Sequence, residues 1–399
     1  MTNIKLYNGL QNLFIFLLLF CLSVLYKVDN FPGIRPLYTI GLIILFILII
    51  LKFNNISCIK KVILSWLSLS PLLLLLAYMS LMSFFGSERV FKDILYLIFY
   101  LLLLPSLFLS KIHKGNLESV LKIIIYFSVF SSLIAVFVLF NLIEYEKGEY
   151  KLIQNYWTAF RLHGFMGQPT AFGGLIGMSI ILLSYLSYLN NKSYLLVWII
   201  LLIAIIGSGS RNAIFSLSIT YLFISIITNR FKLNLKFIIF SIITIYAIFY
   251  FELYLYFADR VINFQSEENR IFIWGRVINL IFSNSNDLLS FVFGNGAGEL
   301  SRVYRAAFNT PLHIFYDYGL FGLITYITSF VISLYIGCKR FDLSRLIFYK
   351  YGIMLLIYGF VFNLFISSFL SPFFSFQVFS FIFGMLILAT PIKWIEKIK

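Results

Sequence analysis

Two arginines stand six residues apart in EENRIFIWGR (267–276), with Glu267 and Glu268 ahead of them and an apolar run ending in Trp274 between. Guanidinium is planar, permanently charged and donates in a fork that fits phosphate or carboxylate. Arg270 and Arg276 are therefore candidates to hold an anion, and Arg270 with Trp274 has the spacing of a cation–π pair. Arg161 in RLHGFMGQPTAFGGLIG (161–177) and Arg211 in GSGSRNAIF (207–215) are further candidates. VFGNGAGELSRVYR (292–305) adds Glu299 and two arginines, Arg302 and Arg305, three apart and so on one face of a helix. In FNTPLHIFYDYGLFGLITYI (308–327), His313 and Asp317 lie four apart, a spacing at which a carboxylate can orient an imidazole as a base.

Each feature also has a plainer reading. The segment 258–311 carries as many acidic as basic residues, so its arginines are either paired with Asp259, Glu267, Glu268, Asp287 and Glu299 or kept for a ligand. His313 with Asp317 is equally a structural hydrogen bond. Gly173 and Gly177 form a small-xxx-small face that admits a close helix or a lipid chain. Arg211, at the start of an apolar run, is placed to snorkel towards headgroups. GNGAG lacks the preceding strand of a nucleotide-binding loop and reads as a flexible turn.

The elements that carry these residues follow from hydropathy. The 399 residues are 61% hydrophobic and 12% charged, with a mean hydropathy of +0.95. Apolar runs of about 20 residues recur along the whole length, which is the pattern of membrane-spanning helices. A β-barrel would instead alternate within segments of about 10 residues. The chain thus reads as a single all-α membrane domain with expected spans at 10–26, 34–51, 62–84, 92–110, 118–142, 169–189, 194–209, 212–229, 237–257, 312–337, 346–370 and 373–391. Cys21 falls in a span, and Cys58 and Cys338 fall in expected cytoplasmic loops, which argues against a disulfide framework.

With both termini inside, every second span exits into a basic segment, as the positive-inside rule requires. The net charge of +15, which in a soluble protein would suggest nucleic acid, is explained by this bias. The two cations divide by side, however. Lysines lie mainly inside, with Lys27, Lys92, Lys147 and Lys151 outside. Arginines lie mainly outside, with only Arg230, Arg340 and Arg345 inside. Two outer segments, 143–168 and 258–311, are too long to be turns. Arginines gathered there against the insertion bias point to an anionic ligand on that side.

The motifs RLHGF…QP, GSR, NRIFIWGR…FGNGAGE and YDYGLFGL, in this order and on this topology, resemble the O-antigen polymerase and ligase superfamily of bacterial envelope polysaccharide synthesis. The resemblance runs end to end. It implies a GT-C-like fold in the bacterial inner membrane, with an undecaprenyl-pyrophosphate-linked oligosaccharide as donor and as acceptor. It also implies a flippase and a chain-length regulator as partners, and no cofactor. Ligases of the superfamily place a His-Asn pair eleven residues before the glycine that matches Gly319, where this chain has Phe308-Asn309. That departure favours a polymerase.

Cleavage of a glycosyl pyrophosphate concentrates negative charge on the leaving group, so the chemistry needs preorganised cations there. Arg161, Arg211, Arg270 and Arg276 take that role on this reading, with Arg302, Arg305 and Glu299 towards the substrate. Arginine is a poor base. Deprotonating the acceptor hydroxyl falls to Asp317, Glu299, Glu267 or His313, or to none of them. The rival readings are a ligase that transfers the glycan to lipid A-core, and a flippase or transporter for the lipid-linked glycan. A transporter would carry ionisable groups deep within its spans and short loops on both sides.

Overall fold

The computed structural model describes residues 70–83, 114–139, 153–156, 159–162, 169–227, 270–283, 288–296, 298–304, 309–364 and 376–390, with single residues 13, 164 and 307. The expected spans 34–51, 92–110 and 237–257, and 10–26 apart from Leu13, lie outside the described residues, as do Glu267, Glu268 and Arg305.

Every other expected span falls on a helix. These are α1 (Ser70–Ser83), α2 (Lys114–Leu139), α3 (Pro169–Asn190), α4 (Leu195–Gly207), α5 (Arg211–Ile227), α9 (Thr310–Ser344), α10 (Ile347–Asn363) and α11 (Phe376–Ala389). Among the described residues, three stretches are long and apolar enough to cross a membrane: Leu117–Phe137, Thr170–Asn190 and Thr310–Ser344. Helix α10 is central, packing on α3, α5, α9 and α11. Aromatic rings fill the seam between α9, α10 and α11: Phe330 stacks on Phe360 at 3.9 Å and Tyr326 meets Phe381 at 5.6 Å between centroids. Small polar groups join the other helices, as where the Ser128 and Ser179 hydroxyls meet at 2.7 Å. Such contacts suit an apolar surround, where close packing and interhelical hydrogen bonds hold helices together.

Three features differ from the sequence reading. The described residues are mostly helical but not wholly so, because segment 143–168 contains an antiparallel hairpin, β1 (Ile153–Tyr156) with β2 (Ala159–Leu162). Its residues have no helical or transmembrane periodicity, and the strands are too short for alternation to register. The described residues of the long segment 258–311 include the helices α6 (Arg270–Ser283), α7 (Leu288–Phe293) and α8 (Glu299–Val303). Ile273, Val277 and Ile281 recur at helical spacing and bury one face of α6 in a small cluster with Leu300, Ala307 and Tyr316.

The third difference concerns α9, which runs past its expected end at residue 337 to Ser344, so Cys338 is helical rather than in a loop. The charged pair Lys339-Arg340 suggested a boundary, but Arg340 is used within the helix. Its Nη1 donates to the Leu388 carbonyl, and to the Thr390 carbonyl at 2.9 Å. These are orphan carbonyls at the end of α11, where a cation is favoured.

Candidate functional site

The motif segments assemble in two halves at one end of the bundle. The first half joins RLHGF…QPTAFGGLIG to GSGSR. Between α4 and α5 the chain turns in three residues, with Gly209 at φ +58°, where a Cβ would be strained. Ser208 Oγ donates to the Ile205 carbonyl at 2.6 Å and accepts from Ser210 N–H at 3.2 Å. The Ser210 carbonyl then accepts from Ala213 N–H at 3.1 Å, starting the helix that Arg211 heads.

This turn sits directly on Gly173 of α3, where a Cβ would overlap the Ser210 side chain. Leu162 of β2, 2% exposed, packs on Gly207 with no room for a Cβ. Arg161, paired with Gln154 in the hairpin, is its neighbour in the strand. The hairpin residue beside Leu162 and the helix residue after Ser210 are thus the two arginines, on adjoining segments. The small-xxx-small face is filled by protein: Gly177 lies against the Tyr358 hydroxyl, which donates to the Gly174 carbonyl at 3.1 Å.

The second half joins GNGAGELSR to YDYGLFG. Helix α9 breaks at Gly319, with φ +67° and ψ −171°, a conformation essentially reserved for glycine. A break frees backbone groups that an unbroken helix would pair. The Gly-rich turn after α7 takes them up. Asn295 N–H donates to the Tyr316 carbonyl at 3.2 Å and Gly296 N–H to the Asp317 carbonyl at 3.0 Å. The Asn295 side-chain amide also donates to the Tyr316 carbonyl, at 2.9 Å. A Cβ on Gly294 (φ +89°) would overlap the Asp317 carbonyl, and one on Gly319 would overlap the Val292 carbonyl. The turn that read as flexible is pinned. From the opposite side, Tyr78 Oη of α1 donates to the Phe293 carbonyl at 2.5 Å, and its ring meets Phe321 edge-on at 4.7 Å.

Asp317 is the centre of this half. It is 1% exposed; Oδ1 accepts from Leu300 N–H and Oδ2 from Gly298 N–H, each at 2.9 Å. His313 Nε2 lies 3.1 Å from Oδ2. One carboxylate therefore fixes the start of α8 and orients the imidazole, and both of its oxygens are engaged. His313, 4% exposed, has its Nδ1 buried without a hydrogen-bond partner. Asn309 caps α9 by accepting from Leu312 N–H at 2.9 Å. Its amide donates to the Leu364 carbonyl, also at 2.9 Å.

That last bond ties the two halves together. The C-terminal end of α10 holds Asn309 through Leu364, while Tyr358, earlier in the same helix, holds α3. The remaining candidates divide by partner. Arg302, largely exposed, is bound by Glu299, its Nε donating to both carboxylate oxygens at 3.0 Å. That carboxylate raises the guanidinium pKa further. Arg276 is exposed and lies over the Phe272 ring at 5.2 Å. Arg270 begins α6.

Sequence reasoning overlooked Ser210, whose Oγ is buried with no hydrogen-bond partner, like His313 Nδ1. Such groups are rare and usually mark strain or a ligand; the serine stood in the quoted motif, but its burial could not be read there. Asn295 and Asn309 were overlooked too, and only Asn309 left a signal, as an N-cap two residues before proline. Among the described residues no three His, Cys, Asp or Glu side chains gather as metal ligands. No protein-family model matches the chain, and no curated protein is significantly similar to it.

Proposed function

We propose that this chain is a polysaccharide polymerase of the bacterial inner membrane, joining undecaprenyl-pyrophosphate-linked repeat units of O-antigen type on the outer face. On this reading it is a multi-pass enzyme of about twelve spans with a GT-C-like plan, both termini cytoplasmic and no cofactor. A flippase supplies its substrates and a chain-length regulator works beside it. The observation that supports the proposal is indirect: the segments with Arg161 and Arg211 pack on α3, α6 with Arg270 and Arg276 packs on α9, and α10 holds both α3 through Tyr358 and the start of α9 through Leu364.

In the reaction, the bond from the donor sugar to its pyrophosphate breaks and the electron pair leaves with undecaprenyl pyrophosphate. The acceptor sugar hydroxyl forms the new glycosidic bond and gives up its proton. Arg161, Arg211, Arg270 and Arg276 meet the charge that develops on the leaving group. Arg302 serves Glu299 instead, and Arg305 is a secondary contact to substrate. Between the two titratable partners, His313 is the better base. With Nε2–H directed at Asp317, Nδ1 keeps a free lone pair, whereas the Asp317 oxygens already accept backbone N–H groups. Asp317 acts as the positioning residue.

Gel banding of lipopolysaccharide from a deletion strain tests the proposal. A polymerase leaves lipid A-core capped with a single repeat unit. Uncapped core, with polymer accumulating on the lipid carrier, would make the chain a ligase. Normal ladders, or loss of all lipid-linked material from the outer face, would remove both readings.

A further inference from the structure

Helix α6 has three sectors rather than two. Ile273, Val277 and Ile281 face the protein. Turning about 100° per residue, Ile278 and Phe282 form the next sector, 39% and 56% exposed. Asn279, Ser283 and Arg276 form the one beyond, all exposed. Helix α7 adds Leu288 and Leu289, 74% and 69% exposed, and Phe293 at its end. Large apolar side chains on an outer segment that reads as extracytoplasmic need a cover, since contiguous apolar patches mark interaction surfaces.

The depth of this segment identifies the cover. Gly319, against which α7 ends, lies about 20 residues from the basic inner pair Lys339-Arg340. At ~1.5 Å per residue that is about 30 Å, the thickness of a hydrocarbon core. The break in α9, and with it the end of α7, therefore lies at the outer boundary of the bilayer. The Tyr78–Phe293 hydrogen bond supports the same level, because Tyr78 stands inside α1, about a turn below its end at Ser83. The neighbouring helices also expose apolar side chains, Ile324, Ile327 and Val331 on α9 and Leu81 on α1.

We infer that α6 and α7 form an in-plane membrane element, with Ile278, Phe282, Leu288 and Leu289 seated in the outer leaflet and Arg276 at the level of the headgroup phosphates. A helix with an apolar sector on one side and a cation with polar groups on another is built for that boundary. The segment is thus a part of the membrane surface rather than a loop in free solution. The inference stands on the membrane reading alone and is independent of which reaction the chain performs.

Site-directed nitroxide labelling in full-length protein tests it. Cysteine is introduced as Ile278→Cys, Phe282→Cys, Leu289→Cys or Asn279→Cys, with Cys21, Cys58 and Cys338 replaced by serine. Each variant is placed in bilayer nanodiscs of phosphatidylethanolamine and phosphatidylglycerol, and collision with oxygen is compared with collision with a water-soluble nickel chelate. Labels at 278, 282 and 289 should shift to oxygen, matching a control at Ile327→Cys, and the label at 279 should favour nickel. Nickel preference at all four positions would overturn the inference in favour of a solvated loop. Shielding of 278, 282 and 289 from both reagents would overturn it in favour of a protein cover. A second measurement avoids substitution: a phospholipid with a photoreactive acyl chain should label wild-type peptides covering 277–293, and labelling confined to the spans would count against the element.

Discussion

Removing the charge of Asp317 while keeping its shape should loosen one defined piece of the molecule. The carboxylate accepts Gly298 N–H and Leu300 N–H on separate oxygens and lies against His313 Nε2. In Asp317→Asn only one oxygen remains, and in either orientation the amide NH2 faces a backbone N–H, that of Leu300 or that of Gly298 together with the imidazole. At least one buried donor then loses its acceptor, which costs about 1–3 kcal/mol. Since about 1.4 kcal/mol is tenfold in an equilibrium, the open population of the turn at 294–298 rises roughly 5- to 150-fold. Proteolysis under conditions where cleavage is slower than reclosing reads that population directly. Purified protein in detergent, digested with a broad-specificity protease and followed by mass spectrometry, should be cut at 294–304 faster by that factor, with cutting between α4 and α5 unchanged. Equal cutting rates in wild type and Asp317→Asn would refute the reasoning, and Asp317 would then be free for chemistry.

Gly319→Ala should destabilise the same unit by about 1–3 kcal/mol from backbone strain alone, with further loss from overlap with the Val292 carbonyl, read as a lower thermal midpoint in detergent. Gly177→Val should separate α3 from α10, because the Tyr358 hydroxyl occupies the space a side chain needs; reduced yield of folded protein on size exclusion checks it. Arg302→Lys should leave polymer length unchanged, since Glu299 already occupies that cation. Arg161→Lys, Arg211→Lys and Arg270→Lys should each shorten or abolish the ladder at matched expression, because lysine keeps charge but not the fork. Each lost charge-assisted contact of about 1.5–3 kcal/mol slows turnover roughly ten- to a hundredfold.

The helices were legible because long apolar runs report themselves without tertiary context. Their ends were less so, and α9 illustrates why: Lys339-Arg340 reads in the sequence as the end of a span, yet the helix continues and Arg340 binds the carbonyls of α11. His313 and Asp317 were legible as a pair from their spacing alone. What that pair does was not, since the partners of Asp317 are backbone N–H groups 17 and 19 residues upstream in the chain. The same reason hid the role of GNGAG. Its glycines answer to a kink that the sequence records only as another glycine, Gly319. The pairing of Arg302 with Glu299 was open as one of two readings and needed coordinates to decide.

The break in α9 also bears on the order in which the chain can assemble during synthesis. The turn that receives the freed carbonyls, residues 294–300, precedes them by about 20 residues, so its half is already made when Gly319 emerges. A loop of that length closes at small entropic cost. The clasp around Asp317 can therefore form as a local cooperative unit before α10 and α11 exist. Residues 320–338, after the break in α9, are left as an apolar helix of about membrane length. Insertion of that helix and closure of the clasp become separate events, and only the later arrival of Leu364 beneath Asn309 locks one to the other.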